Sequence, residues 1–239
     1  MTLLKIPLIL SSALGVHVSL TPPNAPPSKT EVVYDTFNEW VITQHVNYGL
    51  LAFKTVYWAL SFTEIAVIAS RAVDTNRLPS VIQHAVVPFL RKIEVTPITS
   101  PFLFATAVVI AGGFLRRWCF RTLGRFFTFE LSVRKGHQLV KTGPYAIVRH
   151  PAYTAATLQY AGILFLHGQQ ASWLRDSGIL DRVPGLRFIV LACAVERAIT
   201  VISLLRRINQ EEEIVKSLFG DEWKSWAKVV RYRLIPGIY

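Results

Sequence analysis

Residues 136–153, GHQLVKTGPYAIVRHPAY, place a dense group of titratable, aromatic and turn-forming side chains between two apolar runs of membrane-spanning character. Inside the stretch, Gly143 and Pro144 punctuate a turn and Pro151 restricts the residue before it, so Tyr145–His150 is held between two stiff points. Arg149 and His150 stand side by side as donors at the edge of an apolar run, where they suit an anionic ligand. A lone Arg-His pair at a membrane edge contacts lipid headgroups as a rule. His137, the Gly-Pro-Tyr turn and Pro151 around this pair argue for a ligand instead.

The rest of the chain places that stretch in a membrane. Of 239 residues, 51% are hydrophobic and 17% charged, the latter below the roughly 25% usual in soluble domains. Mean hydropathy is +0.36, and the apolar residues come in blocks. The net charge of +11 does not indicate nucleic acid, because the basic residues flank apolar runs and carry no nucleic-acid-binding signature; anionic lipid is the expected partner. Cys119 and Cys193 form no CxxC and no disulfide framework, and no metal site is expected.

The expected fold is all-α and polytopic, with about five transmembrane helices and a C-terminal amphipathic segment. The spans fall at residues 1–20, 48–70, 98–114, 154–168 and 186–205. The first run, with Lys5 near its start, also admits a signal-peptide reading; a span is favoured. Residues 34–44 read as a short interfacial helix, and RRWCFRTLGRFFTFE, after the third span, as a basic aromatic segment of the headgroup layer. Gly112 and Gly113 suggest close helix contact or a flexible end. Lys54, Glu64, Glu196 and Arg197 are ionisable residues within spans, and such residues are functional candidates by default. Snorkelling explains Lys54 equally well, and Glu64 can simply face other helices.

After the fifth span comes EEEIVKSLFGDEWKSW. Glu211, Glu212 and Glu213 read as the opening of a new helix, where acidic residues favour the macrodipole. Successive side chains diverge by about 100°, so the three cannot share one task. Trp223, Trp226 and Val230 form an apolar stripe on a basic amphipathic helix. An even number of crossings separates the 136–153 stretch from this tail, so the two share a membrane face. That face then carries sixteen Lys and Arg against eight opposite, Arg77 among the eight, which makes it cytosolic.

HQLVKTGPYAIVRHPAYTA, followed by RINQEEEIVKSLFGDEWKSWAKVVRYRLIPGIY, resembles the isoprenylcysteine carboxyl methyltransferase family, closely in the C-terminal half and only as a pattern of spans before it. Ala155 stands where the family usually has Gly, Val215 where it has Leu, and Trp223 and Trp226 where it has tyrosines. The resemblance implies an N-terminal transmembrane region, residues 1–115, and a methyltransferase core, residues 116–239. It implies S-adenosylmethionine as cofactor, bound by His137, Leu139, Val140, Gly143, Pro144, Tyr145, Arg149, His150, Pro151, Tyr153, Glu211 and Glu212. Its acceptors would be prenylated CaaX-type protein C-termini, methylated at the endoplasmic reticulum membrane with the active site facing the cytosol. On that reading Arg197 or Arg149 orients the acceptor carboxylate, and Glu196 or Glu212 keeps that arginine in place. The alternatives are a phospholipid or small-molecule N-methyltransferase and a non-enzymatic membrane protein.

Overall fold

The computed structural model describes residues 2–33, 36–74 and 78–239 and shows an all-α protein. Tyr34, expected to begin the interfacial helix, and Arg77, counted among the basic residues, lie outside the described residues. Along the chain run α1 (Lys5–Ser19), α2 (Phe37–Gln44), α3 (Leu50–Ala72), α4 (Val87–Arg91), α5 (Ser100–Leu123) and α6 (Pro151–Gly168). Two short helices, α7 (Trp173–Asp176) and α8 (Ile179–Arg182), lead to α9 (Leu186–Phe219) and α10 (Asp221–Val229).

The long helices alternate in direction, and specific contacts fix their alignment. Lys5 meets Glu64 and Tyr57 meets Ser12, so α1 and α3 are antiparallel. Arg116 meets the Ala152 carbonyl and Gln159 the Val109 carbonyl, so α5 and α6 are antiparallel as well. Tyr153 meets Arg207 and Tyr160 meets the Ala194 carbonyl, which sets α9 antiparallel to α6. The main apolar core lies among α1, α3, α5 and α6, with Ile9, Ala13, Val16, Leu50, Phe53, Ala105, Val109 and Leu166 in it.

Three helical stretches are long and apolar enough to cross a membrane: Phe37–Ala72, Ser100–Phe126 and Leu186–Phe219. Five were expected. The 15 residues of α1 rise only about 22 Å, short of a hydrocarbon layer of roughly 30 Å. Helix α6 has the length, but Gln159, Tyr160 and His167 dilute its apolar character.

Three expected boundaries move. Residues 37–44 are not a separate interfacial helix: α2 continues through a π turn, His45–Gly49, into α3. Helix α5 extends nine residues past the expected end at Phe114, and this carries Arg116 into the core. Helix α9 does not stop at Leu205. It has no Gly or Pro within it, and Arg197, Thr200, Val201, Leu204, Ile208 and Glu212 are buried at helical spacing on one face. At 1.5 Å per residue its last 14 residues reach about 21 Å beyond a 20-residue span. Glu211–Glu213 therefore lie in the body of a helix, and the first-turn capping role does not apply.

Lys5 is part of the core as well. It forms a 2.8 Å ion pair with Glu64, donates to the Thr96 carbonyl and hydroxyl at 3.2 and 2.7 Å, and lies 4.7 Å from the Phe102 ring centroid. The two glycines of α5 make close helix contact. A Cβ on Gly112 would lie 2.7 Å from the Gln159 Cβ on α6, and one on Gly113 would lie 2.7 Å from the Gly15 carbonyl oxygen on α1. Gly113→Val is expected to push α1 off α5 and cost about 1–3 kcal/mol, read as a lower melting temperature in detergent. Unchanged melting would show that this contact is loose.

Candidate functional site

Between α5 and α6 the chain has to turn sharply. Gly143, at φ 58°, opens the Gly143–Ala146 turn; its missing Cβ would lie 3.0 Å from the Thr122 hydroxyl, so this corner of the loop is seated on α5. Pro144 is buried behind it, and Pro151 starts α6 in the first turn, where a missing N–H costs nothing. These three residues shape the loop. Tyr145, Arg149, His150 and Tyr153 project from it to the wall of a cavity of about 180 Å³, which His137, Leu139, Val140, Glu211, Glu212 and Arg197 also line. The loop and the tail thus meet at this cavity. Cavity residues come from both sides of the boundary near residue 115, since Leu20, His45, Leu50 and Phe53 contribute to it.

The tail is fastened to the loop through backbone and side chain. The Arg149 and His150 amides donate to the Tyr232 and Arg233 carbonyls at 2.9 and 2.8 Å, and the Thr154 hydroxyl donates to the Leu234 carbonyl at 2.7 Å. The Arg149 guanidinium donates to Glu212 at 2.7 Å and to the Val230 and Arg231 carbonyls at 2.9 and 2.7 Å. Most of its donors are thereby engaged in holding the tail. Glu212 also meets His150 Nε2 at 3.2 Å and accepts from Arg233 at 2.8 Å, so both its oxygens are committed.

Glu211 is placed differently. One of its oxygens accepts a short hydrogen bond from Tyr153, whose hydroxyl accepts from Arg207 at 2.8 Å. Arg207 in turn is paired at 3.1 Å with Glu39 and donates to the Phe129 carbonyl. The buried chain Glu39–Arg207–Tyr153–Glu211 ties α2, α6 and α9 together. It leaves the second oxygen of Glu211 available to the cavity.

The outer part of the cavity is aromatic. His137 lies with its ring centroid 4.9 Å from Phe126 and 6.1 Å from Phe219, and Trp223 and Trp226 add further wall. Burial lowers the affinity of the His137 imidazole for a proton, against the opposing pull of Glu211, so the ring is neutral near pH 7. His137 Nδ1 and Trp226 Nε1 are buried without a hydrogen-bond partner. A buried polar atom without a partner is costly, and a bound ligand is one way of satisfying it.

Deeper in, two guanidinium groups face the cavity. Arg197 is 7% exposed, lies 4.7 Å from the Phe53 ring centroid, and bonds through one terminal nitrogen to His45 Nε2 at 3.2 Å. Its other terminal nitrogen has no partner. Arg116, expected in the headgroup layer, is also 7% exposed: it donates to the Ala152 carbonyl at 2.8 Å and is caged by Phe120, Phe127 and Phe129 at 5.1–5.4 Å. Its Nε is unpartnered. Among the described residues neither arginine is ion-paired to a carboxylate, so the deep cavity is electropositive. Glu196 does not line the cavity and touches His45 instead of Arg197.

Fold and cavity together define an all-α, multi-pass membrane protein with an internal site shared by a central loop and the tail. Residues 105–174 match the model of the isoprenylcysteine carboxyl methyltransferase (ICMT) family. Over 129 residues the chain is 26% identical to protein-S-isoprenylcysteine O-methyltransferase B of Arabidopsis thaliana. That similarity covers 53% of this chain and about half, 55%, of the relative. The resemblance seen in the motif residues is thus a family-level link to ICMT-type methyltransferases. The family match contains most of α5, the loop and α6, whereas Arg197, Glu211 and Glu212 lie beyond it.

Proposed function

We propose that this chain transfers a methyl group from S-adenosylmethionine to the α-carboxylate of a C-terminal isoprenylcysteine on prenylated CaaX-type proteins. The observation that carries the reading is the unpartnered, buried Arg197 guanidinium nitrogen, facing a cavity whose outer walls are aromatic and whose inner walls include Leu20, Leu50, Phe53 and Ile163. The outer region fits the cofactor. His137 Nδ1 and Trp226 Nε1 would bond the heterocycle, Phe126, Phe219 and Trp223 would stack against it, and the free oxygen of Glu211 would accept from hydroxyl or ammonium donors. S-adenosylmethionine supplies an electrophilic methyl on a sulfonium centre.

The chain's own contribution is binding and orientation. Arg149 and Glu212 clamp the tail that carries the aromatic wall, while Arg197 pairs with the acceptor carboxylate and Arg116 adds positive potential nearby. An α-carboxyl has a pKa of about 3.5. The acceptor is therefore already a nucleophile at neutral pH, and no side chain has to remove a proton. The apolar inner wall suits a prenyl chain and excludes water. Five crossings fit the alternating helix directions, with α1 and α6 crossing beside α5. The excess of Lys and Arg supports a cytosolic site, and the family resemblance supports the endoplasmic reticulum membrane.

The electropositive deep cavity favours a carboxylate over an amine acceptor. Purified protein with labelled S-adenosylmethionine is expected to methylate a farnesylated cysteine analogue at a rate nearly independent of pH above about 5, and to leave phosphatidylethanolamine unmodified. An amine acceptor must lose a proton before it attacks, so its rate climbs with pH. Transfer to phosphatidylethanolamine with that climb, or no transfer to the farnesylated acceptor, would overturn the reading.

A further inference from the structure

The helix running from Phe37 to Ala72 is interrupted once by a π turn, and that turn borders the cavity. A π turn disturbs the regular hydrogen-bond ladder and commonly marks a functional position. Here it carries His45, 7% exposed, between two groups on α9. His45 Nδ1 makes a short contact with a Glu196 oxygen, and His45 Nε2 lies 3.2 Å from the Arg197 guanidinium. A guanidinium has only donors, so Nε2 must be the accepting nitrogen. The proton then sits on Nδ1 and is donated to Glu196. The tautomer follows from the two partners.

Glu196 is itself steadied by the Thr200 hydroxyl, 3.2 Å from the same oxygen that meets His45. Gly49, at the end of the π turn, leaves room for the pair. A Cβ there would lie 2.5 Å from His45 Nδ1 and 2.6 Å from the Glu196 oxygen. No larger residue fits without displacing one of them.

We infer that His45 is a positioning residue for the acceptor carboxylate: held by Glu196, it turns Arg197 so that the free guanidinium nitrogen faces the cavity. The inference rests on the proposed reaction, in which Arg197 binds that carboxylate. A neutral imidazole is well suited to the task. A carboxylate placed directly on Arg197 would neutralise it and compete with the acceptor, whereas an imidazole lone pair orients the guanidinium and leaves its charge for the ligand. Glu196 acts on Arg197 one step removed, which is why it needs no position on the cavity wall.

The test compares His45→Leu and His45→Gln in the full-length protein in detergent. A glutamine amide carries one donor and one acceptor and can bridge Glu196 and Arg197, whereas leucine can do neither. His45→Leu is expected to raise KM for a farnesylated cysteine acceptor by up to about 100-fold, the cost of misplacing a binding group by an ångström, with the S-adenosylmethionine dissociation constant unchanged. His45→Gln is expected to recover most of that loss. The decisive readout is competition by two prenylcysteine ligands, one with a free carboxylate and one with a carboxamide. Parental protein should prefer the carboxylate, and His45→Leu should lose the preference.

Equal weakening of both ligands would mean a general packing role and overturn the inference, as would an unchanged KM. Should His45→Leu fail to fold, Gly49→Ala crowds the same pair from the other side and is expected to reduce the same preference; an intact preference there counts equally against it. Failure of the parental protein to transfer methyl to the acceptor would instead remove the proposed reaction itself.

Discussion

Arg197→Ala is expected to lower methyl transfer to a farnesylated cysteine acceptor by about 10²–10³-fold, the usual effect of deleting one well-placed charge-stabilising donor, while S-adenosylmethionine binding stays near the parental value. The separation follows from position. Arg197 is 14 residues, about 21 Å of helix rise, from Glu211 and the aromatic outer wall. Its interaction partners are His45 and the Phe53 ring. Because the free nitrogen has no internal partner, little folding energy depends on it. Arg197→Lys should recover only part of the activity, since an ammonium cannot accept the orientation set by His45 and pair with a carboxylate in the same planar geometry. Parental activity in Arg197→Ala would exclude any role for this residue in acceptor binding.

The sequence made the loop legible more readily than the core. The spacing of Gly143, Pro144, Arg149, His150 and Pro151 carried the family resemblance because turn chemistry is local, and the same residues form the observed corner. The course of α9 was obscured by charge. Arg206, Arg207 and three glutamates look like the end of one helix and the start of another, yet the burial of Leu204, Ile208 and Glu212 keeps helical phase straight through. That phase was available in the sequence. Arg116 reads in sequence as a headgroup residue because its aromatic neighbours also suit an interface; the cage that buries it forms only when residues 127–129 fold back on α5. His45 gave no signal at all. Its importance comes from contacts with α9, about 150 residues away, and from a π turn that hydrophobic periodicity does not reveal. Glu64 shows the opposite outcome, an intramembrane carboxylate whose partner, Lys5, makes it part of the helix packing.

Glu212→Ala should have the largest effect on the folded state, about 3–5 kcal/mol if the carboxylate behaves as one half of a buried ion pair. Glu212 accepts from Arg149 at 2.7 Å and from Arg233 at 2.8 Å and meets His150 at 3.2 Å, with its side chain and that of Arg149 only 9% and 11% exposed. Removing it leaves the Arg149 charge largely desolvated without a counterion. The Val230 and Arg231 carbonyls that Arg149 also holds are then the weakest remaining fastening of the tail. A marked fall in melting temperature is expected, together with faster proteolysis after Arg231 and Arg233. Cofactor affinity should fall in parallel, because the aromatic wall on α10 loses its anchor. Glu211→Ala provides the contrast. Its free oxygen is assigned to the cofactor, so affinity should drop while melting changes far less. Glu212→Gln keeps an acceptor for Arg149 but no charge, and should fall between the two. If Glu212→Ala melted like the parent, the tail would have to be held by the backbone pairing at residues 149–150 and 232–233 together with the Thr154 and Arg149 bonds to the Leu234, Val230 and Arg231 carbonyls, and the glutamate would be free for a direct role at the ligand.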